Sequence, residues 1–232
     1  MYFTSKFIRM IWQPTIRIGN AVIHPSSQAR NHGVIMDPSL SMTVHVNNVC
    51  KSAMSGIRKI GQIRHYLTQK STARLVHAFV TSKLDYCNSL LFGLPERELM
   101  KVQRVQNIAA RLVLRVPRHE HIPPVIESLH WLPIQQRTVY KILLITFKAL
   151  KGMAPIFISD LLALYKPSRA LRSSSDCRLS VINSSTKFYG NRSYAFAAAN
   201  LWNKFPANIR HAPSLCIFKS KLKTHLFQLH FC

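Results

Sequence analysis

The stretch Thr81–Arg118, TSKLDYCNSLLFGLPERELMKVQRVQNIAARLVLRVPR, carries the pattern from which the fold is read. It predicts two helices separated by a break at Gly93, Leu94 and Pro95. Pro95 suits the first turn of the second helix, where a missing N–H costs nothing. On that second helix Arg97, Lys101, Arg104, Arg111 and Arg115 recur at spacings that confine them to about 80° of arc. Leu99, Val102, Ala109, Leu112 and Val113 spread over the other side. Only Glu96 and Glu98 share the helix, both in its first turn, where they complement the dipole rather than form a run of ion pairs. A solvated helix surface ordinarily mixes both signs, so a face this one-sided points to a polyanion.

The whole chain agrees with its central helix. Its 232 residues include 32 Lys+Arg against 8 Asp+Glu, a formal net charge of +24 and a pI near 10.6. Self-repulsion of that size calls for a partner supplying negative charge, either nucleic acid or an anionic membrane surface, and argues against a small-molecule enzyme. A hydrophobic content of 47% is enough for a core and excludes a wholly disordered basic tail. No run of eighteen apolar residues reads as a membrane span. The opening MYFTSKFIRMIWQPTIRIG lacks the Ser-rich, multi-Arg character of a mitochondrial presequence, and Arg9 interrupts what would be a secretory core. Nuclear or cytoplasmic residence is therefore expected over secretion. Cys50, Cys87, Cys177, Cys216 and Cys232 are far apart and odd in number, so reduced and mostly buried thiols are expected. His119 and His121 form an HxH pair with no second ligand pair at zinc spacing, so no metal is expected.

Outward from the centre, TIRIGNAVI (Thr15–Ile23) alternates about Gly19-Asn20 as a short β-hairpin. NHGVIMD (Asn31–Asp37) reads as a single Gly-started strand, and Ser41 as the cap of a helix bearing Val46, Val49, Cys50, Ala53, Ile57 and Ile60 at helical spacing. A further helix is expected from Thr68 to Leu91, through Leu75, Val76, Phe79, Val80, Leu84 and Cys87. Beyond Pro117, Trp131 and Leu132 mark a packed corner. Pro133 opens a helix that runs to Gly152. That helix repeats the two-faced design: Arg137, Lys141, Lys148 and Lys151 fall within about 80° of arc, opposite Val139, Ile142, Leu143, Ala149 and Leu150. Residues 154–165 make a short helix. The Ser- and Arg-rich run Pro167–Thr186, with Arg169, Arg172 and Arg178, is the candidate boundary between subdomains. A helix with an Ala face follows and stops at Pro206. Ser214 caps a last helix whose Leu215, Phe218, Leu222, Leu226 and Leu229 form a seam flanked by Lys219, Lys221, Lys223 and His225. The seam is most simply core; contact with a partner helix is the sharper reading.

Catalytic arrangements are not found. The eight acids (Asp37, Asp85, Glu96, Glu98, Glu120, Glu127, Asp160 and Asp176) include no DD, DxD or DxE pair for two magnesium ions. There is no Gly-rich phosphate loop, no GxSxG and no paired Cys/His nucleophile. Asp85-Tyr86-Cys87-Asn88 reads as a buried hydrogen-bonded cluster inside an apolar helix.

The words SKLDYCNSLLFGLP, LMKVQRVQNIAARLV, HIPPVIESLHWLPIQQR, YKILLITFKAL, PSRALRSS, YGNRSYAFAAANLWNKFP and FKSKLKTHLF, in this order, resemble the C-terminal part of reverse transcriptases of LINE-type, non-LTR retrotransposons. Upstream, IRIGNAVIHPSSQARNHGVIMDPSLSM and HVNNVCKSA are similar to the segment just after that family's palm. The resemblance covers about residue 16 to the end. It implies a primer-grip hairpin (residues 1–40), a thumb-like helical bundle (41–166) and a small helical C-terminal extension (167–232), a mainly α fold opened by a short hairpin. A thumb holds a template–primer duplex, and the cationic faces at 97–115 and 137–151, reached without the family, agree with that. The palm's paired aspartates and the endonuclease domain have no counterpart here, so the resemblance implies a non-catalytic RNA, DNA or hybrid binder needing no cofactor and no small-molecule substrate. His32 departs from the family pattern, which has an apolar residue at that position of NxGV. Two rival expectations stand beside this one: a relic without selected function that needs its palm to fold, and an interaction module using the Leu215–Leu229 seam. Attachment to an anionic membrane surface is a third.

Overall fold

Two hairpins precede the helices. β1 (Ile16–Ile18) pairs antiparallel with β2 (Ala21–Ile23), and Gly19 opens the two-residue turn at φ 58°. Positive φ there matches the right-handed twist of the strands. β3 (Ala29–Asn31) pairs with β4 (Val34–Met36) across His32 and Gly33, at φ 44° and 81°. The expected single strand Asn31–Asp37 is thus a second hairpin. His32 is tolerated because it occupies the turn with its side chain exposed, while its carbonyl accepts the Tyr86 hydroxyl.

The N-cap of α1 (Thr43–Gln62) is Met42, not Ser41; Met42 lies at φ 58° and offers no side-chain bond, and the Ser41 hydroxyl accepts only the Thr43 N–H at 3.4 Å. Asp37 organises the entry instead, its carboxylate accepting the N–H groups of Ser41 at 3.0 Å and Met42 at 2.9 Å. α2 (Gln69–Val76) is capped by Thr68, which accepts the Ser71 N–H at 3.2 Å. It continues through a π turn at His77–Thr81 into α3 (Ser82–Asp85). There the helix stops, short of the expected Leu91: Tyr86 is extended and Cys87 has φ 50°. The contact of Tyr86 with the β3–β4 turn overrides the helical periodicity. Asp85–Asn88 is accordingly a corner, not a polar cluster within a helix, and Tyr86 is exposed. A 3-10 turn at Asn88–Leu91 follows. α4 (Glu96–Leu114) starts after Pro95, whose carbonyl accepts the Glu98 N–H at 2.9 Å.

α5 (Ile122–Ser128) leads to a corner where Trp131 and Leu132 are buried, as the sequence predicts. α6 (Ile134–Leu150) ends in a Schellman motif: Met153 N–H reaches the Lys148 carbonyl at 2.8 Å and Gly152 N–H the Ala149 carbonyl at 3.2 Å. α7 (Ile156–Ser159) is a single turn. α8 (Tyr194–Lys204) begins at a Ser193 cap, α9 (Ala207–Arg210) follows Pro206, and α10 (Leu215–Phe231) comes last among the described elements.

The computed structural model describes Met1, Phe3 and residues 15–165, 177–184, 186 and 189–231. The opening segment read for targeting, Arg169 and Arg172 of the Ser/Arg-rich run, and Cys232 lie outside the described residues. The chain forms two compact units, residues 1–87 with 94–113, and residues 88–93 with 114–232. These cut the chain elsewhere than the segments 1–40, 41–166 and 167–232.

In the first unit α1 packs on α2, the π turn and α3, with β4 against it. Val46, Ala53, Ile57, Val76, Val80 and Leu84 are buried there, and Val102, Ala109 and Val113 form the buried face of α4. In the second, α6 is central. Phe147 stacks on Phe218 with ring centroids 4.2 Å apart, and Leu143, Trp202, Leu222 and Leu226 close the core. Trp202 donates its indole N–H to the Cys177 carbonyl at 2.8 Å. Asn203 exchanges two bonds with the Leu179 backbone. The described end of the Ser/Arg-rich run is therefore docked on α8 rather than acting as a linker. Gly93 (φ 69°) has no room for a side chain, because an added Cβ would meet Arg192 Cγ at 2.6 Å. Arg192 donates to the Phe92 carbonyl at 3.2 Å there.

Candidate nucleic-acid interface

α4 sorts its cations into different jobs. Arg97 and Arg104 are exposed and Arg111 is half-buried. Arg115 lies one residue beyond the helix, at φ 58°, and belongs to the second unit, so the expected five-cation helix face is four cations long. Lys101 is already engaged. Its ammonium lies 2.8 Å from Glu98, whose carboxylate is buried, and 3.1 Å from the Asn47 side-chain oxygen. Arg97 approaches the same carboxylate at 3.5 Å. Glu98 is thus not a solvated partner of the helix dipole but the buried anchor beneath the stripe. A buried carboxylate needs its counter-ion, so Lys101 is held in place rather than offered to a ligand.

The Lys101–Asn47 bond places α1 beside this stripe. Asn47, Lys51 and Arg58 share about 40° of arc on α1, and all three are exposed. At the other end, Arg64 donates to the Leu112 carbonyl at 2.7 Å and the Val113 carbonyl at 2.8 Å, so the two helices run in the same sense. The first unit therefore presents Lys51 and Arg58 from α1 together with Arg97 and Arg104 from α4. Sequence reasoning passes over Lys51 and Arg58, although residues 38–84 contain no acid at all. That absence is the signal that marks them.

α6 in the second unit carries the other stripe. Lys141 and Lys151 are exposed and Lys148 is half-buried. Lys151 follows the last helical residue, with its ammonium 5.9 Å from the Phe147 ring centroid. Arg137 turns back onto its own chain, donating to the Leu132 carbonyl at 2.7 Å with its guanidinium 6.0 Å from the centre of Trp131. It holds the corner and is not presented with the other three.

Other candidates resolve as follows. Cys50 lies close to Lys101 and Glu98; burial pushes its thiol up, Lys101 opposes this, and the net result is a protonated thiol at neutral pH. Contrary to the expectation of mostly buried thiols, Cys177 and Cys216 are exposed. His119 and His121 are exposed, and no cluster of three or more metal-ligating side chains occurs among the described residues. Phe218, Leu222 and Leu226 of the C-terminal seam are buried within their own unit, while Leu229 is exposed. Among the described residues no helix is long and apolar enough to cross a membrane. Compared with known proteins, the chain matches no family model, no curated protein and no solved structure.

Proposed function

We propose that this chain is a non-catalytic nucleic-acid-binding protein of retrotransposon descent, related to the thumb and C-terminal extension of a LINE-type reverse transcriptase, and that it grips polynucleotide through backbone phosphates. The observation that carries this reading is the face made by Lys51, Arg58, Arg97 and Arg104. Of the two acids on α4, Glu98 is buried and neutralised from above, which leaves that face strongly positive. Phosphate contact of this kind positions a duplex without reading its bases.

The test is filter binding of the full chain to an RNA–DNA hybrid over a salt series, with circular dichroism on the same samples. If about five phosphates are neutralised, the log–log slope is about −4 to −5. Replacing Arg97 and Arg104 together with Glu weakens binding to every sequence alike and leaves helix content unchanged. A slope near zero, or a double variant that binds as before, rejects the proposal. One observation favours the rival of a relic that needs a further domain: Ile16, Ile18, Val22 and Ile23 of the first hairpin are all exposed. Poor helicity in the purified chain supports that rival.

A further inference from the structure

The π turn at His77–Thr81 creates a second surface feature in the first unit. The wide turn swings Phe79 out of the helix interface, where it is 53% exposed, while Val76 and Val80 stay buried. Opposite it, Gly56 of α1 comes so close that an added Cβ would lie 3.0 Å from the Phe79 carbonyl oxygen. The result is an open groove of about 240 Å³ walled by Gly56, Ile60, Ile63, Leu75 and Phe79. π turns of this kind occur preferentially at functional sites. The groove is smaller than the roughly 300 Å³ at which sites for drug-sized ligands begin. Its walls hold few groups that could satisfy the polar edges of a base or a cofactor. It suits one or two large apolar side chains.

Charge identifies what those side chains are attached to. Lys59 and Lys83 stand at the rim, and Lys83 is tethered by its ammonium to the Ser52 carbonyl at 3.2 Å and hydroxyl at 2.9 Å. Arg74 is exposed on α2, which supplies Leu75 to the groove. No acid occurs between Asp37 and Asp85, so α1, α2 and the π turn carry none, and Asp85 stands only at the end of α3. We infer that this groove docks an acidic amphipathic helix of a protein partner, which seats an aromatic or aliphatic anchor beside Phe79 and sets its carboxylates against the rim lysines. Helix-in-groove recognition by spaced apolar anchors is the mode this geometry fits. The inference does not rest on the nucleic-acid reading, whose Lys51, Arg58, Arg97 and Arg104 do not line the groove.

The experiment is fluorescence anisotropy of the full chain with a labelled helical peptide carrying Phe and Leu anchors four residues apart on a Glu-rich background. A second peptide replaces both anchors with Ser. The anchored peptide binds the native chain at least tenfold more tightly than the Ser peptide. Phe79→Ala removes that difference without altering helix content, since the side chain is exposed, and Lys59→Glu weakens the anchored peptide several-fold. The double variant of Arg97 and Arg104 keeps the difference, separating this surface from the phosphate-binding one. Equal binding of the two peptides, or a difference that survives Phe79→Ala, overturns the inference. Displacement of the peptide by a single-stranded oligonucleotide whose own affinity falls with Phe79→Ala also overturns it, and assigns the groove to base stacking.

Discussion

Arg64 shows why a cation in this chain cannot be assigned from charge alone. Its guanidinium is buried and donates to the carbonyls of Leu67, Leu112 and Val113, two of which are among the last carbonyls of α4. Helix ends leave such acceptors without intrahelical partners, and a cation near them also complements the dipole. Arg210 likewise donates to a backbone carbonyl, that of Phe205 at 2.9 Å, as Arg137 does to Leu132 and Arg192 to Phe92. These four arginines are committed to backbone. In the sequence nothing distinguishes them from Arg97 or Arg104, because the distinction lies in which carbonyl folding brings within reach. Arg64→Ala leaves buried acceptors unsatisfied and costs about 2–4 kcal/mol, read as a lowered urea midpoint. Arg64→Lys recovers part of this, since a single ammonium cannot reproduce the fork.

Where β4 meets α1, the junction is acid-sensitive through two groups. His45 is buried and its Nδ1 accepts the Ile35 N–H at 3.4 Å, so burial holds its pKa below the ordinary value and keeps it neutral. Asp37 is opposed by burial, but bonds from the Ser39 hydroxyl and from Ser41 and Met42 N–H outweigh this and lower its pKa below 3.8. Both folded pKa values are depressed, so both contributions are present above the unfolded pKa and are lost as pH falls through the folded one. Stability should therefore decline in two steps, the first beginning near the unfolded histidine value of about 6.5 and the second below about 4. Hydrogen exchange of the Val34–Met36 and first-turn α1 amides across pH 3–8 checks this, and His45→Gln removes the upper step. Hydrophobic periodicity alone makes α1, α4, α6, α8 and α10 legible in the sequence. It fails where side chains reach outside their own element: at Tyr86, which ends α3 early; at Met42, where Asp37 replaces the cap; and at the π turn, whose extra residue has no sequence signature. The cationic face is legible in Arg97 and Arg104. Lys101 is not legible as an anchor, because Glu98 reads as surface until its burial is seen.

Across the whole chain a formal charge of +24 opposes compaction in both units. A polyanion that binds the folded form relieves that repulsion and adds its own binding free energy to stability. Micromolar inorganic polyphosphate should raise Tm by several degrees, and sodium chloride of the same ionic strength by much less; equal shifts would mean screening without binding. The two units also have an uneven relation to the order of the residues. Residues 88–93 belong with α6 and with Arg192, yet they interrupt the first unit, which is complete only with Val113. A ribosome delivering this chain therefore exposes Asn88–Gly93 long before their partners exist, and delivers α4 afterwards to the unit those six residues have bypassed. Assembly of the two halves is interleaved in time during translation, so a pause between the codons for Gly93 and Ile134 leaves that short segment waiting for α6, at a point where a trigger-type chaperone or a misplaced contact has its best opportunity to act.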